Sequence, residues 1–258
     1  MTDQAKALAN RLNADDVVLS SWSMIAEPLV AETLARSGYG AVTLDMQHGA
    51  HDMATVCAAI VAVTGAGVPS VVRVPVDDFA SASRAIDAGA AAVIAPMINS
   101  VEDALRFVSF MKYPPVGTRS WGPMRAAELA GTDLMSYFEA ANEHVLAFAM
   151  IETSEAVAVV DEILAIEGID GVFIGPADLS IALSDGATVD PMGAATKTVA
   201  ADIAERARTA GKIAAIFCSS LDHAGWAAEA GFRFIAYGVD SSLLASAASE
   251  VVTAFADR

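Results

Sequence analysis

Basic residues are scarce in this chain of 258 residues: 15 Lys and Arg face 32 Asp and Glu, a formal net charge of −17. Such a balance disfavours attraction to nucleic acid or to an anionic membrane surface. Cysteine is scarcer still, with only Cys57 and Cys218, which gives neither a disulfide framework nor the paired spacing of a zinc site. Charged residues make up 18% of the chain and hydrophobic ones 55%, so it is too apolar for disorder and long enough to bury a large core. Residues 1–16 are polar and charged where a signal peptide needs an apolar run, and a cytoplasmic location is expected. The charge-free stretch at 53–72 is long enough to span a bilayer, but Gly65, Gly67 and Pro69 break it into a helix and a following strand. No membrane or nucleic-acid partner is expected.

Short runs rich in Val, Ile and Leu recur along the chain, each followed by an Ala-rich amphipathic stretch. Strands are predicted near residues 17–20, 41–45, 70–74, 91–96, 145–151, 171–174, 212–217 and 233–237. Helices are predicted over 27–36, 52–63, 78–88, 101–111, 155–165, 194–210, 221–229 and 241–256. Gly38, Gly89, Gly211 and Gly231 fall where such helices would end before a buried strand. Repeated βα units on this scale predict a (β/α)8 TIM barrel, one domain over 1–258, with a doubly wound open sheet as the alternative. The exception to the repeat is 112–132, whose Pro114, Pro115, Gly117, Gly122 and Pro123 read as a long irregular loop across a barrel or subunit surface.

Polar residues at strand C-termini carry the most weight in a barrel. Strand two ends in Leu44-Asp45-Met46-Gln47-His48-Gly49, strand three at Arg73, and strand five in Met150-Ile151-Glu152-Thr153; strand six runs into Gly175-Pro176-Ala177-Asp178. Glu152 and Asp178, on adjacent strands, form a hard-oxygen pair suited to Mg²⁺ or Mn²⁺. Gly175 and Ala177 open a helix, where backbone N–H groups can receive a carboxylate. Each residue also has a structural reading: Asp45 and Arg73 as a buried ion pair, His48 and His51 as turn and helix-start residues, Glu152 and Asp178 as helix-end charges, and His144 and His223 as surface or packing residues. A Schiff-base mechanism needs a lysine inside the barrel. Lys6 is terminal, Lys112 lies in the irregular loop, Lys197 in a helix, and Lys212 opens strand seven at the opposite end. No dinucleotide fingerprint or nucleophile elbow is present.

These segments, together with Val72-Arg73-Val74-Pro75, Ala95-Pro96-Met97-Ile98-Asn99-Ser100, Gly117-Thr118-Arg119-Ser120 and the run from Gly168 through Gly175-Pro176-Ala177-Asp178-Leu179-Ser180, resemble the HpcH/HpaI aldolase family over nearly the whole chain. The resemblance implies a metal-dependent class II aldolase joining pyruvate, or hydroxypyruvate, to an aldehyde, with oxaloacetate decarboxylation as a side reaction. It implies Glu152 and Asp178 as ligands of Mg²⁺, Mn²⁺ or Co²⁺, Arg73 as the contact of the pyruvate oxygen, and His48 as an acid/base assisted by Asp45. Gly175 and Ala177 would receive the pyruvate carboxylate. Family members often carry Glu before the histidine; Gln47 here keeps hydrogen-bonding capacity on the substrate side without the charge. Trp121, in the 119–123 stretch, is expected to shape the aldehyde pocket. A homo-oligomer, trimer or hexamer, with the last helix at the interface is also implied. The alternatives are a malyl- or citryl-type lyase on the same barrel and a non-catalytic binding protein.

Overall fold

Eight parallel strands close into a barrel in sequence order: β1 (Val18–Ser23), β2 (Ala41–Asp45), β3 (Ser70–Arg73), β4 (Ala92–Ala95), β5 (Leu146–Ile151), β6 (Gly171–Ile174), β7 (Ile213–Phe217) and β8 (Phe234–Val239), which pairs back onto β1. This computed structural model describes residues 3–258; residues 1 and 2 of the expected domain lie outside them. The closed ring excludes the doubly wound sheet. Helices α1 (Gln4–Asn13), α2 (Pro28–Arg36), α3 (Met53–Gly65), α4 (Phe79–Ala88), α5 (Val101–Met111), α6 (Met124–Ala130) and α7 (Leu134–His144) come before β5. Helices α8 (Ser154–Ala158), α9 (Val160–Leu164), α10 (Pro176–Leu183), α11 (Ala194–Thr209), α12 (Leu221–Glu229) and α13 (Asp240–Ala256) complete the chain. No helix among the described residues is long and apolar enough to cross a membrane.

Alternation along each strand divides the core in two. In β5, Leu146, Phe148 and Met150 point into the barrel, while Ala147, Ala149 and Ile151 pack outward under the helices. The same parity sends Ala41 of β2, Val71 of β3 and Phe173 of β6 inward and Val42, Val72 and Val172 outward. Extending each inward series by steps of two reaches Asp45, Arg73, Glu152 and Gly175. Strand period alone therefore delivers these four to the C-terminal mouth.

Several elements differ from the sequence reading. β1 extends to Ser23. The helix expected over 155–165 is split into α8 and α9 at Val159, which sits at φ −115° and ψ 16°. The polar N-terminal segment forms α1, because Asp3 caps it through Lys6 N–H at 3.0 Å and Leu8, Ala9 and Leu12 pack into the same core as Val18, Val71 and Leu146. The stretch 112–132 is not a structureless loop: it contains α6 and leads into α7, whose Asp133 cap accepts from Met135 and Ser136 N–H.

That stretch also lies at the N-terminal end of the barrel, away from the polar mouth. Lys112, fully buried, donates to Asn142 O, Val145 O and Asp170 Oδ2 at 2.7–2.8 Å, just where β5 and β6 begin. Arg119 pairs with Asp87 at the end of α4, and Trp121 packs on Tyr113 and Phe138. Trp121 therefore does not shape the mouth of its own barrel. Three acceptors for one buried ammonium make Lys112 a structural clasp, since a paired and fully hydrogen-bonded charge is the only kind a core tolerates well.

Candidate active site

A cavity of about 220 Å³ opens at the C-terminal mouth. Asp45, His48, Arg73, Gly175, Ala177 and Asp178 border it, and Trp22, Met24, Met150, Phe173, Phe217 and Val239 give it an apolar lining. The polar members come from the loops after β2, β3 and β6, which the closed barrel opens onto one mouth.

Asp45 and Arg73 are direct partners in the β2–β3 register. That register puts Arg73 Nε 2.8 Å from Asp45 Oδ1 and Nη2 2.6 Å from Oδ2, a two-point pair with both residues buried. Trp22 Nε1 and the Gln47 backbone N–H also donate to Asp45. Burial works against the Asp45 charge, but these donors and the guanidinium hold its carboxyl below the usual carboxylate range. The guanidinium lies 4.8 Å from the Trp22 ring centre. Its Nη1 makes no hydrogen bond among the described residues and keeps both of its N–H groups for a ligand.

Glu152 follows β5 and Asp178 follows β6, the neighbouring strand; Asp178 borders the cavity and Glu152 does not. Glu152 is 2% exposed and accepts Met97 N–H on Oε1 at 2.9 Å; Asp178, in the first turn of α10, is exposed. Burial pushes the Glu152 carboxyl up to about 7; Met97 N–H opposes this, the Asp178 charge adds to it, and Arg73 opposes it. Oε2 has no hydrogen bond among the described residues. Gly175 makes this arrangement possible, for a Cβ there would collide with Glu152 Oε2 and sit 2.6 Å from Met150 Cε. A buried carboxylate short of counter-charge, with a free oxygen and a second carboxylate close enough to repel it, is a donor set that fits a hard divalent cation. No third His, Cys, Asp or Glu joins the pair among the described residues.

His48 is exposed and borders the cavity, and its backbone N–H lies 3.4 Å from Asp45 Oδ1. The Asp45 carboxylate is thus turned to Arg73 and to the loop backbone, not to the imidazole. Gln47, expected on the substrate side, is part-buried with Oε1 enclosed and without a partner among the described residues, and it does not border the cavity. Pro176 opens α10 without an N–H, while Gly175 gives that helix no side-chain cap. The first-turn N–H groups of Ala177 and Asp178 therefore have no acceptor within the helix. His223 is fully buried in α12, and His144 ends α7 at the far end of the barrel, 3.7 Å from Asp3. Cys218 is buried, and burial pushes its thiol up to about 12, which removes it as a nucleophile.

Sequence reasoning missed the apolar wall and the partner of Glu152. Trp22 lies beyond the expected end of the first strand, and the only signal was its even spacing from Val18 and Ser20. Met97 holds a positive φ of 55°, which turns its N–H toward Glu152, and nothing in its residue type announces that.

A parallel barrel whose C-terminal mouth gathers three carboxylates, an arginine and a histidine has the build of an enzyme active site. Residues 19–247 match the HpcH/HpaI aldolase/citrate lyase family, and the chain belongs to that family. It is 40% identical to a hydroxypyruvate/pyruvate aldolase of Rhizorhabdus wittichii over 91% of this chain and 92% of the relative. It is 32% identical to a 5-keto-4-deoxy-D-glucarate aldolase of Citrobacter koseri, covering 95% and 94% of the two chains. The crystal structure of a family protein from Burkholderia cenocepacia superposes with a TM-score of 0.87 at 31% identity, over 97% of this chain and 99% of that one.

Proposed function

We propose that the cavity takes a small 2-oxo acid, pyruvate or hydroxypyruvate, and reversibly joins its C3 carbon to an aldehyde. The observation that carries this reading is the convergence of Glu152, Asp178 and the free Nη1 of Arg73 on one mouth, beside the unpaired N–H groups of Ala177 and Asp178. A 2-oxo acid presents a carboxylate and a keto oxygen on adjacent carbons. The start of α10 would receive the carboxylate, and Arg73 the keto oxygen.

Glu152 and Asp178 would hold Mg²⁺, Mn²⁺ or Co²⁺, and the ion supplies positive charge where negative charge develops on the keto oxygen. Arg73 adds a second positive charge there, kept in place by its pair with Asp45. His48 takes the hydroxyl proton of a 4-hydroxy-2-oxo acid as the C3–C4 bond breaks, and the enolate then gains a proton at C3 to become pyruvate; in the reverse direction pyruvate C3 gives up that proton and His48 delivers one to the aldehyde oxygen. The apolar wall excludes water and lodges the aldehyde. Gln47, the remaining substrate-binding candidate, does not border the cavity and is given no contact with the 2-oxo acid. Oxaloacetate reaches the same enolate by losing carbon dioxide.

Aldol addition of pyruvate to glycolaldehyde tests the reading. Exhaustive chelation is expected to abolish turnover, and Mg²⁺, Mn²⁺ or Co²⁺ to restore it, because two protein ligands leave the ion exchangeable. Full turnover in the chelated protein would overturn the metal-dependent assignment.

A homo-oligomer, trimer or hexamer, belongs to the same proposal. Residues 241–258 are exposed throughout, and α13 carries Leu244, Val251, Val252 and Phe255 at 64–77% exposure. An apolar helix so uncovered has the composition of an interface. Light scattering at micromolar concentration is expected to give a multiple of the chain mass; a monomer would count against it.

A further inference from the structure

The imidazole of His48 has no hydrogen bond among the described residues, so its aim depends on the backbone of the 46–52 loop. Two posts hold that backbone. The first is Asp45, which accepts the N–H groups of Gln47 and His48. The second lies outside the cavity, where His51, only 5% exposed, sets Nε2 3.1 Å from Ser23 Oγ. The Ser23 hydroxyl donates to Asp240 Oδ2 at 3.1 Å. With that proton committed to Asp240, Ser23 Oγ is left to accept, and His51 is assigned as the Nε2–H tautomer with a lone pair on its enclosed, unpartnered Nδ1.

Asp240, the first residue of α13, also accepts the N–H groups of Met24 at 3.0 Å, Ile25 at 2.9 Å and Ser241 at 2.7 Å. Ala50 N–H donates to Met24 O at 2.8 Å, and a Cβ on Gly49 would collide with the Asp45 carbonyl and come within 3.1 Å of Met24 Cα. The root of α13 therefore fixes the end of β1, and the end of β1 fixes the His48 loop. The residue types match those of a nucleophilic triad, but Ser23 donates to the carboxylate instead of to the imidazole, and none of the three borders the cavity. Nucleophilic chemistry does not fit this order.

We propose that Asp240, Ser23 and His51 are positioning residues that act through His48, holding its loop at the angle needed for proton transfer. This rests on the reading of His48 as the proton carrier. Small errors of aim are costly in such a step, because reacting atoms must meet within a narrow range of distance and direction.

The test is a double-mutant cycle on the addition of pyruvate to glycolaldehyde at saturating Mg²⁺, with Ser23→Ala, His51→Ala and His51→Gln made singly and Ser23→Ala also made in His48→Ala. Ser23→Ala and His51→Ala are expected to lower kcat about tenfold while KM for pyruvate stays within about twofold. His51→Gln, which keeps an N–H for Ser23, is expected to recover most of that loss. In the His48→Ala background, Ser23→Ala should change kcat by less than about twofold, since there is no imidazole left to aim. Losses that multiply in the double variant, or a wild-type kcat for Ser23→Ala, would overturn the relay even if the His51 variants failed to fold. A near-wild-type kcat for His48→Ala would instead remove the proton-carrier reading, and the relay with it.

Discussion

Glu152→Ala and Asp178→Ala are each expected to lower turnover by about 10³-fold, the upper range for losing a principal stabiliser of developing charge. Their effects on the fold should differ. Asp178 is exposed, and its removal should leave the thermal midpoint nearly unchanged. Glu152 is buried, and in the metal-free protein its carboxyl sits at about 7 against an ordinary 4.5. The folded protein then keeps a proton on this group, between roughly those two values, that the unfolded chain has released. Stability of the metal-free protein must therefore fall as pH rises through that window, by up to about 3 kcal/mol, and stay low above it. Glu152→Gln removes the charge and should flatten this dependence. At pH 8 without metal it should melt above the wild type, whereas adding Mg²⁺ should raise the wild type and leave the variant unmoved. A steep loss of stability between pH 5 and 7 in Glu152→Gln would show that another group titrates there.

The barrel was legible because its period is short and repeated. Inward and outward series in β2, β3 and β5 can be read from the alternation of side chains, and they carry Asp45, Arg73 and Glu152 to one rim. The ion pair between Asp45 and Arg73, weighed as the structural reading of those residues, is present, and it takes up the carboxylate that the resemblance assigned to His48. Both readings remain compatible with a rim arginine, because Nη1 is left over.

What was not legible depends on contacts between distant positions. Ser23 and Asp240 are separated by 217 residues, and His51 read as an ordinary helix start. The N-terminal helix escaped notice because its polar exposed face outweighs Leu8, Ala9 and Leu12 in composition. The 112–132 stretch is irregular through Pro123, as its prolines and glycines suggest; α6 within it and α7 after it were not legible, although the Asp133 cap and the apolar spacing of Tyr137 and Ala141 pointed to α7. Its placement at the opposite end of the barrel follows from Lys112, whose three acceptors at the starts of β5 and β6 no local pattern could reveal.

His48→Ala is expected to lower aldol cleavage by about 10²-fold or more while sparing oxaloacetate decarboxylation to a clearly greater degree. Cleavage must remove a hydroxyl proton as the carbon–carbon bond breaks, and decarboxylation has no such proton. Under the proposed reading Arg73 serves the keto oxygen, where both reactions develop charge, so its loss should depress both by similar factors. Arg73→Ala would also strand Asp45, buried and charged, at a cost of about 3–5 kcal/mol, which risks the fold. Arg73→Lys is the better probe: an ammonium keeps the charge beside Asp45 but loses the two-point geometry and the free Nη1. Steady-state kinetics of His48→Ala and Arg73→Lys on a 4-hydroxy-2-oxo acid and on oxaloacetate, at saturating Mg²⁺ and with circular dichroism as the control for folding, separate the two roles. Equal losses in both reactions for His48→Ala would mean that this residue orients the 2-oxo acid and does not carry the proton. Because its imidazole has no partner among the described residues and hangs from a loop pinned at Asp45 and His51, loss of the side chain alone should leave that loop in place. The kinetic difference between the two substrates would then report on the proton alone.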